Sequence, residues 1–362
     1  FNRRYLTLLH SIIFCLLTVS AASAQQIDPN VLRGSNNNYS TVSVFDVGQG
    51  SCTFISCSNG DNVLIDCGST QGDSNSNRIK NYIAVILPVR EDVDKKTKYS
   101  LLKTLIVSHP DRDHYNLIST VLPDNVRIET IIIGGKLGQY DGSFQDWLKT
   151  QEDEKGSTVV VHANGKVIDE VSYDIEPNEK WGCYRYNDNN KNVEEGLQIL
   201  GMNLPDNKPN NKSVVVKYQH GGYSTIIAGD AEKKEEDKIL QMFDPNNSNP
   251  LLIDMLVGGH HGSETSTSKN WLVWCNPKYA IFSAGDHQGY RHPKNIILDR
   301  IVENKNKKLI TEWNEHDVTG GIRGKDGGGW KTRKCRDAIY NTYNTGFLFS
   351  IVGVDSKKRG RE

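Results

Sequence analysis

The chain carries no excess of either charge, no cysteine spacing of the zinc-knuckle kind, no repeat of fixed period and, past residue 19, no apolar run fit for a membrane. Each absence removes a class. With 43 Lys and Arg against 44 Asp and Glu, the net charge of -1 excludes a protein whose main task is to coat nucleic acid, although a local basic surface stays open. A membrane helix needs about 20 apolar residues, so the chain beyond its N-terminus does not read as membrane-spanning. Without a repeat there is no solenoid. Without paired cysteines at short spacing, any metal site must draw on imidazole and carboxylate.

What is present begins with a processing signature. Arg3 and Arg4 precede an apolar stretch from Leu6 to Val19, and Ala22-Ser23-Ala24 follows. This pattern predicts a signal peptide over 1–24, a polar lead over 25–40 and a secreted or luminal protein with no stable span after processing; an uncleaved anchor is the alternative. Six cysteines then remain, and an even number in an exported chain permits disulfides. Strands at Ser51–Cys57 and Asn62–Cys67, joined at Asn59-Gly60, would set Cys52 opposite Cys67.

Strands and helices alternate along the rest. Thr41–Val47, Thr104–Ser108 and Ile128–Ile133 read as strands, and Arg78–Leu87 places Ile79, Tyr82, Ile83 and Ile86 on one helical face. A polar, weakly patterned stretch over about 136–212 reads as an insertion covering one edge, with a helix near Phe144–Lys149 and strands flanking Asn164-Gly165. The alternation resumes with a hairpin, Ser213–Gln219 and Tyr223–Ala228, then strands at Ile253–Val257 and Tyr279–Ser283 between helices. Two such runs predict an α/β protein with two packed sheets and helices outside, one unit over 41–355 and a basic tail over 356–362.

Four polar motifs follow apolar strands. His109-Pro110-Asp111-Arg112-Asp113-His114 offers four metal-ligand side chains within six positions, where a helix cap needs only one. Gly229-Asp230, His260-His261-Gly262-Ser263 and Tyr290-Arg291-His292-Pro293 are weak singly and stronger as a set. With Phe45-Asp46-Val47-Gly48-Gln49-Gly50, Leu64-Ile65-Asp66 and the serine-threonine run Thr265–Ser268, they occur in the order seen in the metallo-β-lactamase superfamily. The chain resembles that superfamily from about Val42 to Ile310, and within it the soluble domain of the ComEC competence proteins.

The resemblance implies a four-layer αββα sandwich with two divalent ions, zinc or manganese, at one edge. His109 and Asp111 would bind one ion, Asp113 and His114 the other, and Asp230 would bridge them. One of His260 and His261 would ligate while its neighbour meets substrate; which does which stays open. Asp113 with these histidines would serve catalysis, Asp46, Gln49 and Asp66 would support the site, Ser263 would line it, and His292 would stand at its rim. The activity implied is phosphodiester hydrolysis by an activated water, with DNA as the substrate class. Small-ester hydrolysis of the phosphocholine-esterase, lactonase or β-lactamase type, and a binding protein without catalysis, are the rivals.

Two departures bear on this. Ser51 stands where the competence proteins usually carry aspartate. Asn210-Asn211-Lys212 occupies a region where many superfamily members place a histidine, leaving the first ion to Asn211 or water; His220 lies too far along its strand to substitute. Asn38, Asn211 and Asn246 begin glycan acceptor sequences, and a glycan on Asn211 would obstruct the site. A basic, glycine-rich stretch from Gly320 to Arg336 could track phosphates while Trp330 stacks on a base, or be a solvated loop.

Overall fold

The computed structural model describes residues 16–19, 40–72, 75–92, 96–161, 182–187, 192–204, 206–246, 250–304, 309–322 and 328–352. The expected strands flanking Asn164-Gly165, the acceptor Asn38, most of the signal and lead segments and the basic tail lie outside these residues.

Two large sheets form the frame. The first contains β1 (Leu16–Val19), β2 (Ser40–Val44), β3 (Cys52–Ser56), β4 (Asn62–Cys67), β5 (Val89–Glu91), β6 (Lys98–Val107), β7 (Val126–Ile133), β8 (Thr158–Val161) and β18 (Phe347–Val352). Its order is β1-β18-β2-β3-β4-β6-β7-β8, with β5 pairing β6. The second contains β9 (Arg185–Asn187), β10 (Asn192–Gly201), β11 (Val215–His220), β12 (Tyr223–Ile227), β13 (Met255–Val257), β14 (Tyr279–Phe282) and β17 (Ile339–Asn341), in the order β17-β14-β13-β12-β11-β10-β9.

Strand alternation divides the apolar residues into layers. Ile55, Val63, Ile65 and Ile106 face the second sheet and pack with Val216, Ile227, Val257 and Ile281. Their neighbours Phe54, Leu64 and Leu105 point the other way, onto α1 (Ser76–Ile86), α2 (Ile118–Val121) and α3 (Gly142–Asp153). On the second sheet, Ile226, Leu256 and Phe282 take α4 (Lys233–Phe243), α5 (Lys269–Cys275) and α6 (Asn295–Val302). The result is a mixed α/β sandwich with helices on both outer faces. Helix α1 buries Ile79, Ile83 and Ile86, three of the four residues its periodicity selects.

Several expectations change. The stretch read as an insertion over one edge supplies edge strands to both sheets: β8 extends the first, while β9 and β10 extend the second. Strand β10 pairs along β11, from Glu195 opposite His220 to Gly201 opposite Val215. Cys52 does stand opposite Cys67, but through a bulge, since Ser56 and not Cys57 pairs with Asn62 along the hairpin; neither thiol is in a disulfide and both are buried. The disulfide joins Cys57 to Cys183, 126 residues away, so its partner was hidden in the weakly patterned region. Closing so long a loop restricts the unfolded chain by roughly 4–5 kcal/mol. The described residues of the basic glycine-rich stretch belong to two antiparallel strands, β15 (Thr311–Ile322) and β16 (Gly329–Asp337), in which Trp330 stacks on Tyr343 at 6.0 Å; 323–327, with Arg323 and Lys325, lie outside the described residues. Leu16–Val19, from the predicted signal segment, forms an edge strand against Phe347–Val352. Among the described residues no helix is long and apolar enough to cross a membrane.

Candidate metal centre

Strands β4, β6 and β7 run parallel to one another, as do β12, β13 and β14, so the segments leaving their carboxyl ends collect at one edge of the sandwich. Asp66 ends β4, Ser108–His114 follow β6, Asp230 follows β12, and His260-His261 follow β13. Close approach of these segments needs glycine: a Cβ on Gly68 would stand 2.5 Å from the Asp113 carbonyl carbon and 2.6 Å from the His114 nitrogen. His260 and His261 both hold left-handed backbone, with φ of 48° and 54°, a strained conformation that tends to persist where surrounding structure imposes it.

Asp230 is the shared element. Its Oδ1 lies 3.1 Å from His114 Nε2 and 3.5 Å from His261 Nε2, while Oδ2 lies 3.6 Å from His260 Nε2 and 3.7 Å from His109 Nε2. Asp113 Oδ2 is 3.4 Å from His261 Nε2, and Asp111 Oδ2 is 3.4 Å from His109 Nε2. Two groups of ligand atoms each fit around a single ion: His109, His114 and Asp230, and Asp113, His114 and His261. The resemblance divided the motif into His109 with Asp111 and Asp113 with His114. Here His114 appears in both groups, and the Asp111 side chain, 46% exposed, lies against His109 while its carbonyl accepts from the His114 backbone nitrogen at 3.0 Å.

The donor set suits a divalent cation on three counts. First, His114 Nδ1 donates to Asp66 Oδ2 at 2.8 Å and His261 Nδ1 donates to the Ser283 carbonyl oxygen at 2.9 Å. Each bond fixes the ring so that Nε2 turns its lone pair inward, the usual support of a metal-bound histidine. Second, those two Nε2 atoms face each other at 3.3 Å. Ligand atoms at ~2.0–2.1 Å on a tetrahedral ion stand about 3.3 Å apart, so these spacings match a ligand shell's edges. Third, His109 Nε2 and Asp230 Oδ1 are buried without a hydrogen-bond partner, the kind of orphan an ion would satisfy. The groups can thus bind metal, and nothing in the donor set selects among zinc, manganese and iron.

Charge is coupled across the cluster. Burial opposes ionisation of Asp113, but the hydrogen bond from His261 and the charges of His114 and His261 overcome it, holding its pKa at about 2. Asp230 is likewise pushed up by burial and drawn well below the carboxylate range by His261, His114 and His260. His114 rises well above the ordinary imidazole value, because Asp230 and Asp66 outweigh its burial. His292, in contrast, falls to about 3 through burial and the nearby His261 and His260.

The remaining expected residues divide into contacts and supports. His260 reaches Asn210 Nδ2 at 3.3 Å and Thr265 Oγ1 at 3.3 Å from the mouth of the cluster, with 22% of its side chain exposed. His292 stacks on His261 at 6.2 Å, and its Nδ1 accepts a hydrogen bond from Gln49 Nε2 at 3.3 Å. Tyr290 and His287 continue that ring series outward. Asp66 binds Ser108 through its backbone nitrogen and hydroxyl as well as His114. Ser263 hydrogen-bonds Thr265 and touches no ligand atom, and Asp46 caps its own turn at Gly48. Asn211 is buried, which closes it to a glycan; its Nδ2 lies 3.4 Å from Glu232 Oε2, and its Oδ1 is buried without a hydrogen-bond partner. His220 sits at the strand's far end, bonded to Ser40.

Glu232, Ser108 and Ser283 were missed. Glu232 lies 3.7 Å from His260 Nδ1, and its position two residues after Asp230 is a signal that was available. Ser283 acts through its backbone, which no side-chain pattern reveals.

A buried carboxylate holds the histidine-bearing loop from behind. Glu236 accepts from the Thr267 and Ser268 backbone nitrogens at 2.6 and 2.9 Å, and burial raises its pKa to about 7. The folded state therefore keeps a proton that the unfolded chain releases above about pH 4.5, so stability falls as pH rises from there to about 7. At ~1.4 kcal/mol per pH unit this amounts to about 3 kcal/mol. Urea titrations in EDTA at pH 5 and pH 7.5 are expected to show a loss that Glu236→Gln reduces by about that amount. Glu235, shifted upward in the same direction, leaves a residual slope in both proteins. An equal slope in parent and variant would contradict the assignment.

No family model matches the chain. It is similar to ComE operon protein 3 of Bacillus subtilis (strain 168), 26% identical over 308 residues, covering 84% of this chain and 35% of that protein. It is also similar to Recombination protein 2 of Haemophilus influenzae, at 28% over 265 residues (72% and 26%), and to Competence protein ComA of Neisseria gonorrhoeae, at 33% over 135 residues (37% and 18%). The chain thus spans between 18% and 35% of the length of these curated relatives, and its similarity to them is at modest identity.

Proposed function

We propose that the chain is a metal-dependent phosphodiesterase of the metallo-β-lactamase type, acting on DNA in a secreted or luminal compartment. The observation that carries this reading is Asp230, whose two oxygens face separate histidine sets: Oδ1 toward His114 and His261, Oδ2 toward His109 and His260. A carboxylate so placed can be shared by two cations.

His109 and Asp230, with Asp111 beside His109, would hold one ion; Asp113, His114, His261 and Asp230 would hold the other, since His114 has only its Nε2 lone pair to give. When bound, such ions supply Lewis-acid charge to a phosphoryl oxygen and acidify water. The chain's own part is positioning. Asp66 and the Ser283 carbonyl orient His114 and His261, and Asp113 keeps His261 Nε2 turned inward. His260, half-open at the mouth and linked to Thr265, can carry a proton at the leaving oxygen. The names of the relatives, competence and recombination proteins, support a DNA-related substrate. So does the basic strand pair β15–β16, whose Gly321 nitrogen donates to the Pro293 carbonyl at 2.8 Å and so lies along the His292 rim. Export rests on Arg3, Arg4 and the Leu6–Val19 run; loss of β1 with that segment would remove only an edge strand.

Turnover of bis-p-nitrophenyl phosphate, single-stranded DNA, a lactone and nitrocefin, each with manganese or zinc, tests the reading. Cleavage of the first two is expected. Cleavage of only the last two would replace it with small-ester hydrolysis. Failure with all four, together with less than one bound ion per chain, would favour a binding protein.

A further inference from the structure

A cavity of about 330 Å³ opens beside the metal cluster, lined by Lys233, Lys269, Arg300, Glu264, Thr265 and Asn270, with Ser266 and Ser268. Counting Asp237, which pairs with Lys233, its three cations meet two carboxylates, which leaves it net positive in a chain of net charge -1. Its volume lies at the low end for pockets that take small organic groups.

The cavity shares a wall with the metal cluster. The loop that presents His260 and His261 continues through Thr265 to Ser268. Thr265 Oγ1 is 3.3 Å from His260 Nδ1, and the Lys233 backbone nitrogen donates to the Thr265 carbonyl at 2.9 Å. Lys233 itself follows Glu232, which touches His260 on the other side. Arg300 serves the wall: its guanidinium donates to the Ser266 and Thr267 carbonyls at 2.7 and 2.8 Å, which fixes the loop's shape. The two lysines play a different part. Both are exposed at the cavity; Lys233 pairs with Asp237 one helical turn on, and Lys269 has no carboxylate at ion-pair distance among the described residues. Thr265, exposed between the cavity and His260, adds a hydroxyl.

We infer that this cavity is a subsite for a phosphate neighbouring the scissile one, so that a single polynucleotide strand crosses from the metal cluster over Thr265 onto Lys233 and Lys269. The inference rests on the phosphodiesterase reading for which phosphate is cleaved, but binding can be read without cleavage. Lysine suits this task as a mobile point charge, which tolerates the varied backbone geometry of a flexible strand.

The test measures binding of a fluorescein-labelled twelve-residue oligothymidylate by anisotropy, in EDTA, between 0.05 and 0.3 M NaCl. Each phosphate contact on a single strand contributes about 0.7 to the slope of log affinity against log salt. Lys233→Gln with Lys269→Gln, which together release that one phosphate, should therefore flatten the slope by about 0.7 and weaken binding roughly 5-fold at 0.1 M salt. Lys80→Gln with Lys98→Gln, which removes the same charge from a surface remote from the cavity, should leave the slope unchanged. Equal slopes in parent and the Lys233/Lys269 variant, equal flattening by the remote pair, or no measurable binding by the parent would each overturn the inference. Turnover of bis-p-nitrophenyl phosphate by the parent with added manganese, which needs no neighbouring phosphate, reports on the phosphodiesterase reading separately.

Discussion

Asp230→Ala is expected to lower phosphodiester turnover at least about 10³-fold and to leave the purified protein with less than half the parent's bound metal. The size follows from what the side chain does. Both oxygens face histidine nitrogens within 3.7 Å, so its loss removes a donor from each ligand group at once. It also removes a buried anion that faces four imidazoles, leaving only Asp66 on His114 and Asp113 on His261 to balance them. Lewis-acid stabilisation of a phosphoryl transition state is worth several kcal/mol, and each ~1.4 kcal/mol lost is tenfold in rate. Asp230→Asn keeps the volume but not the charge and should sit between the two. Metal content by plasma emission and turnover of bis-p-nitrophenyl phosphate check both halves. Full activity in the alanine variant would mean that the chemistry lies elsewhere.

Asp66→Ala is expected to act through orientation and stability. Asp66 is fully buried and accepts three hydrogen bonds, from the Ser108 nitrogen at 2.6 Å, the Ser108 hydroxyl at 2.8 Å and His114 Nδ1 at 2.8 Å. Truncation leaves the Ser108 backbone nitrogen without its acceptor, and the Ser108 hydroxyl and His114 Nδ1 with each other at 3.2 Å in place of the carboxylate, at roughly 1–3 kcal/mol per lost bond before any relaxation or water entry. A net loss of about 3–5 kcal/mol in urea unfolding follows, enough to threaten a domain of ordinary stability. The gentler Asp66→Asn keeps an acceptor for Ser108 but cannot take the His114 proton in the same way. Removing such an outer support typically lowers metal affinity 10- to 100-fold. Manganese titration of Asp66→Asn should show that shift with little change in unfolding midpoint in EDTA. An unchanged affinity would mean that His114 is oriented by Ser108 alone.

The order of the site was legible because its ligands follow short apolar strands, and parallel strands carry whatever follows them to one edge. Leu105-Ile106-Val107, Ile226-Ile227 and Leu256-Val257 announce both the strand and its end, so Asp113, Asp230 and His261 could be grouped before any distance was known. The division of ligands was not legible. His114 faces both groups and Asp111 stands half outside, because the turn at Arg112–His114 is a tight 3-10 helix, not an extended continuation of β6. His260 and His261 could not be told apart by sequence; two successive left-handed residues turn them to opposite oxygens of Asp230. The polar stretch containing β10 hid a strand because its N-terminal half, Asn192–Glu195, lacks the apolar alternation that marks its neighbour β11. The disulfide was missed for a related reason: Cys52 does stand opposite Cys67, but adjacency across strands does not decide which thiols meet. The described flanks of the basic stretch are strands held by cross-strand partners such as Val318 with Arg333 and Thr319 with Thr332, with Trp330 on Tyr343.

The most direct measurement is an anomalous difference map from crystals grown with manganese, recorded at an energy where that metal scatters. Two peaks are expected on either side of Asp230, one within bonding distance of His114, His261 and Asp113, the other of His109. A map with no peak within about 2.5 Å of either Asp230 oxygen, at saturating metal, would contradict a shared two-ion centre.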